Sequence, residues 1–137
     1  MHNGSIRGLS DRFRATRNPI GQTDSEKFFL LLLDSLEGRE LPEALSNILP
    51  RLEGKDYTSL NFILQDGLYL YAYRHFRRHE DYYTLYYAQS GGSVSIASEP
   101  FYGGLRWNAI GNRELLCARL DGDRPGLRLS ALPSSAL

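Results

Sequence analysis

The sequence predicts an α+β fold with helices packed on one side of an antiparallel sheet, and three observations predict it. Two apolar-periodic stretches with helix-boundary signals lie between Thr23 and Leu52. Near Tyr57 the period changes from helical to alternating. From there on, turn dipeptides separate short alternating runs, the pattern of an antiparallel meander rather than of βαβ units. With 137 residues and 42% hydrophobic content, the chain has material for one core, and no linker or internal repeat divides it.

Residues 1–22 read as irregular, punctuated by Gly4, Gly8, Pro19 and Gly21. They carry Arg7, Arg12, Arg14 and Arg17, a set read as a solvated loop bordering a site in preference to a phosphate clamp. Thr23 is an N-cap candidate with Glu26 three residues on, the spacing of a capping box. Phe28, Phe29, Leu31, Leu32, Leu33 and Leu36 make the following helix apolar on more than one stripe, which predicts deep burial. Gly38 closes it. A second helix begins near Pro42 with Leu45, Ile48 and Leu52 on one face, and Pro50 is placed to bend or end it.

The alternating region opens with a hairpin through Asn61–Gln65 and Leu68–Tyr73, for which Asp66-Gly67 predicts a type I′ turn. Tyr82–Gln89 and Ser93–Ser98 read as a second pair around Ser90-Gly91-Gly92. Trp107–Ile110 and Glu114–Leu120 read as a third pair around Gly111-Asn112. A last strand, Leu127–Ala131, follows an Asp121-Gly122 turn, and Ser134-Ser135 belongs to a frayed tail.

Composition narrows the function classes. Sixteen basic residues balance sixteen acidic ones, so no net field steers the chain to nucleic acid or an anionic membrane. One cysteine cannot form an internal disulfide, and no secretion signal or membrane-length apolar run is visible, which predicts a cytoplasmic protein. Walker, dinucleotide and Gly-x-Ser-x-Gly motifs are absent, and no cofactor is expected. His75 and His79 have the i, i+4 spacing of a helical metal pair, yet Arg74, Arg77 and Arg78 would repel a cation. A solvated basic loop without metal is the expectation. Tyr69, Tyr71 and Tyr73 share a strand face and are expected to pack between layers.

The residues with chemistry to offer lie near the start. Asn3-Gly4 is a turn dipeptide, and equally a carboxamide beside a glycine N–H, neutral donors suited to an oxyanion. Asp24 at a helix start compensates the helix dipole and is equally suited to a ligand ammonium group; the two roles can coexist. His2 has no nucleophile candidate of defined geometry nearby and reads as a structural hydrogen-bonding side chain. Cys117 lies in Leu115-Leu116-Cys117-Ala118, an apolar strand interior with nothing to lower its pKa, and reads as a core thiol.

In this order, His2-Asn3-Gly4 and Thr23-Asp24-Ser25-Glu26 resemble the His-Asn-Gly and Thr/Ser-Asp-Ser-Glu motifs of the class II glutamine amidotransferases, in particular their small stand-alone branch. Asn61–Gly67 with Leu70–Arg74 resembles that family's central hairpin, and Ile96–Pro100 with Trp107–Cys117 its closing strands. The resemblance implies a partial α/β/β/α sandwich of the N-terminal nucleophile (Ntn) hydrolase type. It implies L-glutamine as ligand, hydrolysed at its side-chain amide to glutamate and ammonia, with Asn3 and Gly4 at the oxyanion and Asp24 on the α-ammonium. The family's nucleophile is a cysteine at the mature N-terminus, and its own α-amine takes the proton. Residue 117 cannot fill that place, and Met1 stands where the family's sequence is already under way. Residues 1–137 are therefore expected to be a single, N-terminally incomplete domain without its nucleophile. The alternative is a non-catalytic descendant that binds glutamine or a partner protein. No ammonia acceptor is implied.

Overall fold

The computed structural model describes residues 1–9, 16–101, 103–119 and 125–132. Arg12, Arg14, the Asp121-Gly122 turn and Ser134-Ser135 lie outside the described residues. Helices α1 (Asp24–Leu36) and α2 (Leu41–Glu53) pack side by side. Among the described residues, eight strands form two antiparallel sheets: β1 (His2–Asn3), β2 (Asn61–Gln65), β3 (Tyr69–Arg74), β7 (Glu114–Arg119) and β8 (Gly126–Ala131) in the first, and β5 (Ser93–Ala97), β4 (Tyr86–Ser90) and β6 (Trp107–Ala109) in the second.

The helices form where the caps and periodicity place them. The Thr23 hydroxyl accepts from the Glu26 N–H at 3.2 Å, the first half of a capping box. The Glu26 carboxylate departs from that motif, accepting instead from the N–H groups of Ile20 and Gly21, each at 2.8 Å, which pins the preceding loop to the helix. Phe28, Leu31 and Leu32 of α1 are buried with Leu41, Leu45, Ile48, Leu49 and Leu52 of α2. Pro50 lies inside α2 without ending it, three residues before its last. Gly38, with φ +69°, follows α1 in the left-handed conformation that glycine adopts without strain.

Strand alternation then divides two cores. Phe62, Tyr71, Tyr73 and Leu115 face the helices, with Leu64, Tyr69 and Cys117 packed beside them, so the three tyrosines of β3 fill the space between layers as expected. Ala72 and Leu116 face the other way and meet Leu85 and Ile110, with Tyr87 and Ile96 of the second sheet packed against them. The result is helices on sheet on sheet. The α+β expectation holds, and three layers of the expected sandwich are present among the described residues.

Two local expectations are corrected. The hairpin turn is not type I′: only Gly67 has a positive φ, +94°, at the first central position, as in a II′ turn, and the Asp66 carboxylate accepts from the N–H groups of Leu68 and Tyr69. Trp107–Ala109 and Glu114–Arg119 do not pair. β6 pairs β4 in the second sheet, whereas β7 lies between β3 and β8 in the first. Gly111–Arg113 carries the chain from one sheet to the other, with the Gly111 N–H on the Glu114 carboxylate and the Arg113 N–H on the Arg74 carbonyl. Both strands alternate with a glycine between them, so period and turn chemistry could not distinguish a crossing from a hairpin.

The expected basic loop is also corrected, because Arg74 and His75 are buried. The Arg74 guanidinium donates to the carbonyls of Tyr83 at 2.8 Å, Ile110 at 2.9 Å and Glu80 at 3.2 Å. His75 is 3% exposed, while His79 is exposed, and the segment between them is not helical. The Arg113 Nε can only donate, so the His75 Nε2 that it meets at 3.3 Å is an acceptor, and the proton of the neutral ring resides on Nδ1, 3.2 Å from the Tyr73 hydroxyl. Burial, reinforced by the Arg113 and Arg77 charges, lowers the His75 pKa to about 4.

That depression has a defined consequence for stability. Between the unfolded value near 6.5 and about 4, the unfolded chain takes up a proton that the native protein refuses. Stability is therefore full above about pH 6.5 and is lost as pH falls toward 4. At ~1.4 kcal/mol per pKa unit the loss is on the order of 2–3 kcal/mol. Urea unfolding at pH 7 and pH 4.5 should show it, and His75→Asn should flatten the slope between them; an unchanged slope would assign the loss to other groups.

Candidate functional site at the head of the first helix

The site begins with a short edge strand. Met1 and Ile63 exchange both backbone hydrogen bonds at 2.9 Å, so the narrow pairs alternate along β1 and Asn3 with Asn61 is the next one. The Asn3 carbonyl therefore points to β2, and across the trans peptide the Gly4 N–H points the opposite way, to the unpaired side of the sheet.

Gly4 is held there by a register change. Asn3 pairs with Asn61, but Ile6 pairs with Tyr57, so one extra residue is accommodated on the partner side, as in a β-bulge opposite Gly4. Gly4 has φ +151°, and a Cβ on it would stand 2.0 Å from the Ser59 carbonyl oxygen. No other residue fits without moving one of the two chains.

The head of α1 closes on this strand through two contacts. The Asp24 carboxylate accepts from the Ile6 N–H at 2.6 Å with one oxygen, and from the Ser25 N–H at 2.9 Å with the other. The Ser25 hydroxyl meets His2 Nδ1 at 2.8 Å, and the His2 ring packs on Phe28 with centroids 5.2 Å apart. Burial lowers the His2 pKa, partly offset by the Ser59 carbonyl and the Asp24 carboxylate. His2 is thus hydrogen-bonded to Ser25 and packed on Phe28, contacts that a structural role would use. The side chains of His2 and Asn3 alternate, so Asn3 faces away from the helix layer, exposed.

Two clefts flank this junction. One, of about 340 Å³, is lined by Asp24 and Lys27 of α1, Gln22 before it, and Ile6, Gly8 and Leu9 of the first segment. The other, of about 290 Å³, is lined by His2 and Ser25 and walled mainly by apolar side chains, among them Phe28, Phe29, Leu32 and Phe62. The first is about equally polar and apolar and carries the carboxylate; the second offers little to a hydrophilic ligand. Asn3 lines neither cleft, while Gly4 lies two residues from the N–H that Asp24 holds.

Cys117 is on β7, separated from β1 by β2 and β3, and its side chain faces the helix layer. Burial pushes its pKa up, with Arg128 opposing and Asp66 and Glu40 adding to the rise. It is the reverse of an activated thiol. Among the described residues, no group of three or more His, Cys, Asp or Glu side chains is placed to hold a metal ion. No helix among them is long and apolar enough to cross a membrane.

Reasoning from sequence missed the hydrogen bond between Asp24 and Ile6, which nothing in a linear pattern announces, and the bulge opposite Gly4. The Gly4 contact carries a test: Gly4→Ala should lower stability by roughly 2–4 kcal/mol in urea unfolding, well beyond an ordinary exposed Gly→Ala change. A neutral effect would mean that the close approach to Ser59 is not maintained in solution.

Comparison with known proteins joins this geometry to a family. The family model for class II glutamine amidotransferases matches residues 1–91, which include β1, both helices and the first hairpin. An uncharacterized protein of Methanocaldococcus jannaschii is 32% identical over 104 residues, a stretch that covers 73% of this chain and 29% of that protein. The solved structure of a glutamine aminotransferase class-II domain protein from Silicibacter pomeroyi superposes with a TM-score of 0.65 at 26% identity, over 96% of this chain and 66% of that one. The chain thus spans under a third of the length of the first and about two thirds of the second, and it belongs to the class II glutamine amidotransferase family.

Proposed function

We propose that this domain binds L-glutamine at the junction of β1 and α1, and that it is the amide-recognition part of a glutaminase site whose nucleophile is not among residues 1–137. In this reading Asp24 receives the α-ammonium group, and the Gly4 N–H with the Asn3 carboxamide receives the γ-carbonyl oxygen. The observation that carries it is the Asp24 to Ile6 hydrogen bond, which makes the two motifs one structural unit. The outward Gly4 N–H adds a preorganised donor on the side from which a ligand would come.

The chemistry assigned to the complete site is ordinary acyl transfer. A cysteine thiolate adds to the carbonyl carbon of the γ-carboxamide and the carbonyl electron pair moves to oxygen, where Asn3 and Gly4 stabilise it. Collapse expels ammonia as the nitrogen gains a proton, and water then cleaves the γ-glutamyl thioester to glutamate and free thiol. A second reading, a glutamine-binding domain without catalysis, is favoured by the position of Cys117 alone, since the chain's one cysteine faces the helix layer on another strand.

Ammonia release by purified 1–137 should be indistinguishable from buffer and unaffected by Cys117→Ser. Turnover abolished by that substitution would overturn the assignment. Glutamine should still bind in calorimetry, and Asp24→Asn should weaken it by roughly ten- to a hundredfold, the usual loss for a charged hydrogen bond, with the thermal melt reporting on the Ile6 tether. In a chain extended by a segment that presents an N-terminal cysteine, ammonia release should appear, and Asn3→Ala should lower kcat by roughly two to three orders of magnitude. No turnover in the extended chain, with glutamine still bound, would favour the non-catalytic reading.

A further inference from the structure

A separate cavity lies toward the far edge of the five-stranded sheet, against β3, β7 and β8. It encloses about 680 Å³, within the ~300–1,000 Å³ usual for small-molecule sites. Its floor is the helix-facing side of the sheet. Tyr71, Cys117 and Arg128 stand opposite one another across β3, β7 and β8, and Tyr69, Arg119 and Gly126 form the next row. Glu40 and Pro42, at the start of α2, supply the wall.

Two features give this cavity a chemical preference. Gly126 opens it: a Cβ there meets nothing within 4 Å, and any side chain would occupy the space. Three charged side chains line it: Arg119, which is already engaged by another interaction, and Arg128 and Glu40, which carry opposite charge and make no ion pair or side-chain hydrogen bond among the described residues. Asp66, the other nearby carboxylate, is already engaged by the N–H groups of Leu68 and Tyr69 and by the Tyr71 hydroxyl at 3.4 Å. Arg128 stands directly across from Cys117 in the β7–β8 register, and Glu40 lines the same space from the start of α2. Between them, the half-buried Tyr69 ring offers apolar surface, backed by the buried Tyr71 ring stacked 5.7 Å from it and by the core side chain of Leu115.

We propose that this cavity binds a small zwitterion with an apolar body, of the class of a free amino acid with a large hydrophobic side chain. Its carboxylate meets Arg128, its ammonium group meets Glu40, and its side chain rests on the accessible edge of Tyr69. A ligand of one charge alone would leave the opposite wall charge facing it unpaired, so selectivity follows from the two walls together. The site lies on β3, β7 and β8, with β2 between its nearest strand and β1, and does not depend on the reading of Asn3, Gly4 and Asp24.

Cys117 provides the readout, because it is the chain's only cysteine and lies on the cavity floor. L-phenylalanine should saturably slow alkylation of Cys117 by iodoacetamide at pH 8.5 and give a matching calorimetric isotherm. Phenylpropanoate, which lacks the ammonium group, and phenethylamine, which lacks the carboxylate, should each bind at least ~tenfold more weakly. Arg128→Gln and Glu40→Gln, at exposed positions, should each reduce phenylalanine binding by a similar factor, and Gly126→Leu should abolish it with the thermal melt unchanged. Three results would each overturn the proposal: no saturable protection of the unmodified chain, equal protection by a single-charge probe, or protection that survives both charge substitutions and the filling of Gly126.

Discussion

The hydrogen bond from the Ile6 N–H to the Asp24 carboxylate is the constraint on which the arrangement of the first segment rests. A two-residue edge strand has little pairing of its own, and isolated short strands are marginal in water. Asp24 supplies a charge-assisted acceptor at the positive end of α1, so the contact that orders the segment also stabilises the helix start. His2 with Ser25, and the backbone pairs of Ser5 with Thr58 and Arg7 with Asp56, then follow along the same edge. The price of this closeness is the absence of a side chain at residue 4, where the Ser59 carbonyl occupies the position a Cβ would take.

Much of this architecture was legible in the sequence because local and global preferences agree. Thr23 and Glu26 mark the start of α1, the shift to alternation after Tyr57 marks the sheet, and the tyrosines of β3 share the buried face that their spacing implies. What was not legible involves groups whose partners are distant in the chain. Arg74 and His75 lie in a segment as basic as any solvated loop, and only the carbonyls of Tyr83 and Ile110 and the hydroxyls of Tyr57 and Tyr73 make their burial tolerable. Likewise Gly111-Asn112 has the chemistry of a hairpin turn, yet joins strands of different sheets, since the choice of partner is made by β3 and β4 and not by the turn.

In the candidate site, residue identity pointed to Asn3, Gly4 and Asp24 as the groups with chemistry to offer, and the apolar strand around Cys117 implied the burial that raises its pKa. The physical means of bringing the first segment onto α1 was not. It depends on one backbone N–H and on a register change between Asn3 and Ile6, neither of which leaves a mark in residue identity apart from the glycine itself.

The passage of the chain between sheets sets the order in which its parts can assemble. Strands β3 and β7 are neighbours, but residues 75–113 lie between them and build the entire second sheet. The hairpins β2–β3, β4–β5 and β7–β8 are local, whereas joining β3 to β7 closes a long loop whose entropic cost grows only as roughly 1.5RT times the logarithm of its length. A loop already folded into a sheet and fastened at its base by Arg74 presents a much shorter effective span. Assembly of the second sheet thereby assists closure of the first, and the buried guanidinium at the crossing couples the two sheets into one cooperative unit.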